Sequence, residues 1–280
     1  MEAFIDYLSE MPSLHRSAVL IGGLTLFLLL ENAAPVLQLK YDKWRHGFIN
    51  VFFTITTILV NFLMAFVLYF TAAWVVENNF GLLQWIELPF VLYALVGLMV
   101  LDFVGSWLIH FIEHKFKFLW MFHLIHHTDQ HVDATTANRH HPGESVLRFI
   151  FTTLAVLVTG APIWLVFLYQ SLSAFTSQFN HSNIKIPTWL DSALVWVICT
   201  PNMHRVHHHY RQPYSDSNYG NIFSFWDRIF GTYQKVDQSK LKFGVDTYMD
   251  AKETNNIGEM LKIPFAGYRP HIKYEQEEKL

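Results

Sequence analysis

Four long apolar stretches organise the chain, at about 18–37, 48–76, 83–109 and 146–175, and each of the first three is long enough to cross roughly 30 Å of hydrocarbon as a helix. Glu31 and Asn32 interrupt the first, and polar groups within a span cost a few kcal/mol unless they face protein or water. Trp74, Trp85 and Trp107, near the span ends, fit aromatic anchors at the membrane interface. The fourth stretch carries Gly160-Ala161-Pro162 near its centre, where Gly and Pro break a helix and permit a tight turn. The pattern therefore predicts two short helices of about 13 to 14 residues, roughly 20 Å each and too short to span, forming a hairpin that enters and leaves one face. A single straight span would instead place His181 and all that follows on the opposite face from the histidines before it.

The fold expected is all-α and integral to the membrane: about three transmembrane helices plus a membrane-embedded helical hairpin, with a cytoplasmic, histidine-rich helical cap. The spans occupy 1–109, a central region covers 110–234 with the hairpin at about 146–175, and a more polar segment occupies 235–280, ending in a solvated tail at 275–280. Composition agrees. With 52% hydrophobic residues, 25 Phe, 9 Trp and 15% charged residues, the chain has more apolar surface than a soluble core of its size needs. Its acidic start predicts no cleavable signal peptide.

Charge orients the spans. Lys40, Lys43 and Arg45 lie in one connection, Glu2, Asp6 and Glu10 oppose Arg16 alone near the N-terminus, and the connection at Glu77-Asn78-Asn79 has no Lys or Arg. The positive-inside tendency makes the Lys40 connection cytoplasmic. The third span returns the chain to that face, where Lys115, Lys117 and Arg139 accompany the histidines. The net charge of -3 gives no sign of nucleic-acid binding, and the single cysteine, Cys199, excludes an internal disulfide or a thiolate cluster.

The candidate chemistry lies in the 16 histidines. Three tight groups, His110 with His114, His123 with His126 and His127, and His204 with His207 and His208, flank a lone His181. Residues at i, i+4 project from one helical face, so each group offers a ligand-bearing face. Neutral imidazole suits Fe, Zn, Cu and Ni, and eight or nine imidazoles exceed the roughly four to six donors of one ion, implying two. The alternative is a set of incidental surface histidines. His209 points off the face of His204 and His208 and stays outside the ligand set, His131 and His140 read as outer or solvent groups, and His15, His46 and His271 carry no argument. Asp102 lies eight residues before His110, where a carboxylate accepting the second N–H of a ligating imidazole would satisfy the acid and fix the tautomer.

Together these features resemble the fatty acid hydroxylase and sterol desaturase superfamily of integral membrane di-iron enzymes. The resemblance runs from about 102 to 233 and rests on the three histidine groups, Thr135-Thr136-Ala137 with Arg139, His141-Pro142 with Glu144, Asn218-Tyr219-Gly220, and the run from Phe225 to Thr232. It implies two iron ions and O2 as co-substrate, with His110, His114, His123, His126, His127, His204, His207 and His208 as ligands. His181 resembles a further ligand; some relatives carry a second histidine four positions earlier, where this chain has Ser177, leaving Gln178, Asn180 or water to complete that shell. Asp102, His141 and Glu144 are the candidate outer groups, and His141 is also a candidate ligand.

The resemblance further implies hydroxylation or desaturation of a C–H bond in a fatty acyl or sterol-like lipid, held between the spans at 48–76 and 83–109. His141-Pro142-Gly143-Glu144 superficially resembles the HPGG haem motif of cytochrome b5, but no such module surrounds it, so electrons come from a separate partner or a small reductant. Thr200-Pro201 ahead of the third histidine group also resembles the pterin-dependent alkylglycerol monooxygenases, which act on ether lipids. Two readings of another class are a zinc-dependent membrane hydrolase with Glu113 or Glu144 as base, and a metal transporter, whose histidines would line a path through the spans.

Overall fold

The computed structural model describes residues 2–272, so the tail read at 275–280 lies outside the described residues. Among these residues the architecture is all-helical, with only isolated β-bridges outside the helices. Helices α1 (Glu2–Ser9) and α2 (Ser13–Ala33) precede α3 (Lys43–Glu77), and a short α4 (Leu82–Trp85) leads into α5 (Phe90–Asp102). A π-helical stretch, Phe103–Leu108, joins α5 to α6 (Ile109–Lys115), followed by α7 (Lys117–His127), α8 (Pro142–Thr159) and α9 (Ile163–His181). Beyond them α10 (Thr188–Leu194), α11 (Pro201–His207), α12 (Phe225–Ile229), α13 (Ala251–Thr254) and α14 (Ile257–Lys262) form a cap with α7. Four stretches, Ser13–Ala33, Lys43–Trp85, Phe90–Lys115 and Pro142–Thr159, are long and apolar enough to cross a membrane.

Burial assigns the faces. On α3, Phe53, Leu68, Ala72 and Val75 pack inward, whereas Phe62, Leu63 and Phe66 are more than 70% exposed, as a helix bordered by lipid on one side requires. Asp42 starts this helix by accepting from the Trp44 and Arg45 amides at 3.0 and 3.1 Å. Helix α3 packs on α8, α2 on α9, and the π-helical stretch on α8. Lipid tails are as apolar as leucine, so specificity between such helices comes from packing and polar links. Thr57 to Ser145 at 2.9 Å and Ser106 to Tyr169 at 2.9 Å are two of these. Glu31, which interrupts the first apolar run, faces protein: one carboxylate oxygen accepts from the Ala134 and Asn183 amides, each at 2.8 Å.

The hairpin turns where the sequence indicates, with Gly160 in the left-handed region at φ 70 and Pro162 preceding α9. Its two outer ends, Pro142 and His181, both meet the cap. The expected arm length is corrected, however. The arms have 18 and 19 residues, about 27 and 28 Å at 1.5 Å per residue. Their tip reaches the connection between α3 and α5: Gln84 Nε2 donates to the Gly160 carbonyl at 2.7 Å, and a Cβ added at Gly81 would collide with the Gly160 backbone. The apolar pattern understated the arms because they continue through polar residues that face inward, Glu144 and Ser145 on α8 and Gln178, Asn180 and His181 on α9, all buried.

Trp107 also departs from expectation. Trp74 and Trp85 are exposed, but Trp107 is 2% exposed, stacks on Phe111 and Phe230, and donates to Asp227 Oδ1 at 3.1 Å. The π-helical stretch accounts for this, because its extra residue per turn buries four consecutive positions, Val104 to Trp107.

Candidate metal centre

Four helices deliver the histidines to one place. Helix α6 carries His110 and His114, α7 carries His123, His126 and His127, α9 ends at His181, and α11 carries His204 and His207 with His208 as its C-cap. Thr200 starts α11 by accepting from the Met203 amide, with Pro201 as the first helical residue. All nine are buried and fall into two groups, His110, His114, His123, His127 and His207 in one and His126, His181, His204 and His208 in the other. Within each group the ring nitrogens offered lie within 4.8 Å of one another.

Nε2 to Nε2 distances are 3.1 Å for His110 to His123, 3.1 Å for His127 to His123, 3.0 Å for His181 to His126 and 3.1 Å for His204 to His181. A metal–imidazole bond of about 2.0–2.1 Å puts adjacent ligands at right angles roughly 3.0 Å apart. Burial, reinforced by neighbouring histidines, pushes His123, His126, His127, His204, His207 and His208 well below the usual imidazole range, so these rings are neutral. Convergent neutral imidazoles cannot satisfy one another fully: His114 Nε2, His207 Nε2 and both ring nitrogens of His208 are buried without a hydrogen-bond partner. Each such atom costs about 1–3 kcal/mol, a penalty that coordination removes. The donor set thus fits two first-row metal ions.

The outward nitrogens explain why the inner lone pairs converge. His110 Nδ1 donates to the Tyr219 carbonyl at 2.9 Å, His207 Nδ1 to that of Ser217 at 2.7 Å, and His181 Nδ1 to that of Ser177 at 2.7 Å. A carbonyl only accepts, which fixes the proton on Nδ1 and leaves Nε2 free for a metal. His114 Nδ1 bonds Asp216 at 3.1 Å and His123 Nδ1 bonds Glu144 at 2.7 Å. Glu144 also accepts from Arg148 Nε at 2.9 Å, and Arg148 reaches Glu113 at 2.6 Å through its other arm. Burial opposes ionisation of Asp216, yet the hydrogen bond from His114 and the charge of Lys115 hold its acid below the usual carboxylate range. It is therefore a carboxylate at any working pH. Asp216→Asn should lower metal affinity by roughly 10- to 100-fold while the fold persists, read by chelator competition; unchanged affinity would show that His114 needs no carboxylate.

The Asn218-Tyr219-Gly220 run and the segment from Phe225 to Thr232 act together. Asp227 accepts from the Tyr219 and Gly220 amides, both at 2.8 Å, and from the Thr232 hydroxyl at 2.6 Å. Asn218, at φ 55, bonds the Met203 and Gln234 carbonyls at 2.8 Å each. This holds the Tyr219 carbonyl against His110.

Two expected outer groups sit elsewhere. Asp102 touches no histidine; it accepts from the Ile222 and Phe223 amides and Trp226 Nε1 at 3.1 to 3.2 Å, so it anchors that loop. His141 is apart from both groups, because as the N-cap of α8 its ring accepts from the Gly143 amide and packs on Phe122 and Phe265. Its neighbour His140 lies at the centre instead, stacked on His126 with ring centroids 4.8 Å apart and Nδ1 2.8 Å from Glu144. His209 faces away, its Nδ1 accepting from the Lys242 amide at 3.3 Å. His46, given no role by the sequence, is buried against Asp129 at 2.9 Å, in a network that Arg139 joins through Asn50 and that links α3 to the cap.

A cavity of about 250 Å³ opens beside the centre, lined by His126, His181 and His204 of the smaller group and by His110 of the larger. The approach to the centre is therefore chiefly on the four-histidine side.

A multi-pass helical membrane protein with two buried histidine clusters able to hold metal is what this geometry defines. The fatty acid hydroxylase family matches residues 94–232, and the chain belongs to it and is an oxidoreductase. It is similar to the ornithine lipid hydroxylase OlsE of Rhizobium tropici, 23% identical over 240 residues that cover 82% of this chain and 70% of that protein. Similarity extends to alkylglycerol monooxygenase of Danio rerio, 29% identical over 175 residues, 59% of this chain and 36% of that protein. The cholesterol 25-hydroxylase-like protein 1, member 2, of Danio rerio is 29% identical over 134 residues, 47% of each chain. The chain thus spans about a third of the alkylglycerol monooxygenase and about half of the cholesterol 25-hydroxylase-like protein. No solved structure matches it.

Proposed function

We propose that this chain is a membrane di-iron oxygenase that uses O2 to hydroxylate or desaturate a C–H bond of a lipid. The observation that carries the reading is the pair of imidazole groups facing one cavity inside membrane-length helices. Iron bound there supplies O2 activation with two external electrons; hydroxylation then balances as R–H with O2, two electrons and two protons giving R–OH and water. The protein's part is to gather nine imidazoles, five of them fixed in tautomer through Glu144, Asp216 and three backbone carbonyls, and to keep the centre dry beneath the cap. The electrons come from a separate partner protein or a small reductant. A second reading, pterin-dependent cleavage of an ether lipid, is favoured by the similarity to alkylglycerol monooxygenases.

The test is turnover of iron-loaded protein with a lipid extract, a reductant and 18O2, followed by mass spectrometry. Label in a hydroxylated lipid, or a new double bond formed only with O2, supports the first reading, and an O2-dependent aldehyde from an ether lipid supports the second. Zinc-supported turnover without O2 would overturn both in favour of a hydrolase.

The charge pattern of Lys40, Lys43 and Arg45 supports a centre on the cytoplasmic side. With Cys199 replaced by alanine, a cysteine at exposed Lys240 should resist an impermeant reagent added to intact cells, and one at exposed Glu87 should react. The reverse pattern would invert the orientation.

A further inference from the structure

The cavity beside the histidines combines apolar walls, Phe149 and Ala174 among them, with a polar stripe that a bare hydrocarbon tail would not use. Along α9, Tyr169, Ser173, Ser177 and Asn180 recur at helical spacing, all line the cavity, and the stripe ends at His181. Opposite them, α3 contributes Thr57 and Asn61, the one carboxamide on that helix between Asn50 and Asn78. An Asn within an apolar span is costly unless it meets protein or a polar cavity. The π-helical stretch adds Ser106, bonded to Tyr169, and the loop carrying Tyr219 adds Asn221, whose amide donates to Ser173 Oγ at 2.7 Å.

Charge narrows the ligand. Arg148 also lines the cavity, but Glu113 and Glu144 already match it twice, so no free positive charge is offered to an anion. What remains are neutral donors and acceptors. Size narrows it again, since about 250 Å³ falls below the roughly 300–1,000 Å³ of pockets that enclose a drug-sized ligand. Only part of a lipid fits inside. Across Asn138, which lines both spaces, lies a smaller cavity of about 50 Å³ bordered by Leu20, Ile21 and Leu24 of α2 and Val51 of α3. Ile21 and Val51 are also exposed on the outer surface of these helices, so this apolar space adjoins the lipid.

We infer that the cavity seats an uncharged hydrogen-bonding group of an amphiphile, a hydroxyl, ester or amide, with the tail leaving towards the bilayer between α2 and α3 past Asn138. Resting on the oxygenase reading, this places the oxidised carbon within a few bonds of that polar group rather than in the middle of a chain. Gln170, which also lines the cavity, and Ser173 of α9 are then residues that select the substrate.

Binding tests the first half without turnover. Native mass spectrometry of the full iron-loaded chain under argon compares 1-monodecanoylglycerol with n-dodecane. The monoacylglycerol should bind at least about tenfold more tightly, and Gln170→Leu and Ser173→Val should each erode that preference by roughly three- to tenfold. Phe62→Ala, on the lipid-facing side of α3, should leave it intact. Equal binding of the alkane, or an unchanged preference in both folded α9 variants, would overturn the inference. Should those variants fail to fold, the position of 18O in products of the wild-type enzyme decides. Label beside the polar group supports the inference, and label in mid-chain overturns it alone. Products with neither label nor a new O2-dependent double bond would sink the oxygenase reading while the binding comparison still judges the cavity.

Discussion

Alanine at His204 should reduce the metal content from about two ions per chain to about one and bring turnover below detection, while the protein remains inserted and helical. The site geometry dictates the split. His204 belongs to the smaller group with His126, His181 and His208, and a four-donor set that loses one imidazole retains three, whereas the five-donor set is untouched. His126→Ala should behave likewise, and so should His181→Ala, since His181 Nε2 lies 3.0 Å from that of His126 and 3.1 Å from that of His204. His207→Ala should strike the other ion. His209→Ala is the control: this ring is buried next to the third group in sequence but meets the Lys242 amide and the Tyr210 and Tyr214 rings, so both ions should stay. Metal analysis alongside circular dichroism reads the series. Two ions retained in His181→Ala would remove that residue from the ligands and leave an eight-histidine centre.

The second large effect is expected at Glu144. Its Oε1 accepts from His123 Nδ1 at 2.7 Å and Arg148 Nε at 2.9 Å, and His140 Nδ1 lies 2.8 Å away, so one buried carboxylate serves the His123 tautomer and a buried cation together. Glu144→Gln keeps the shape and loses the charge. Metal affinity should fall by roughly 10- to 100-fold, as for other groups that orient a ligating imidazole. The fold should survive, because Arg148 keeps Glu113 at 2.6 Å. Asp102→Asn should do the opposite. One of the three donors from Ile222, Phe223 and Trp226 would lose its acceptor, costing about 1–3 kcal/mol of stability with metal affinity unchanged. Chelator competition and thermal unfolding separate the two outcomes, and the assignment fails if Asp102→Asn weakens metal while Glu144→Gln does not.

That contrast marks where sequence reasoning reaches its limit. Spacing at i, i+4 was enough to collect the histidines, because a helix fixes which side chains share a face. Gly160 and Pro162 were enough to locate the turn that returns His181 to the cap. The partner of a carboxylate is different: Asp102 meets Ile222 across 120 residues, and no local periodicity reports such a contact. Asp216 was missed for the same reason, since it reaches His114 from a loop 102 positions away. His141 did carry a local signal. With Pro142 as the first residue of α8, position 141 is the N-cap, and a capping ring bonds its own helix start, leaving His140 to face the centre. Trp107 was misplaced because the apolar run gave no sign of the π-helical turn that rotates it inward. The hairpin arms were read short because hydropathy fades where inward-facing polar residues begin, although the helices continue to the histidines.

The proposed centre is a pair of metal ions held by imidazole and facing an internal cavity. Metal analysis with Mössbauer spectroscopy on protein loaded anaerobically with 57Fe, before and after a pulse of O2 with reductant and lipid, addresses it most directly. The expected result is about two irons per chain in two inequivalent environments, one for the five-histidine group and one for the four-histidine group, with O2 altering the spectrum. A single iron per chain, or full turnover with zinc and no O2, would contradict it.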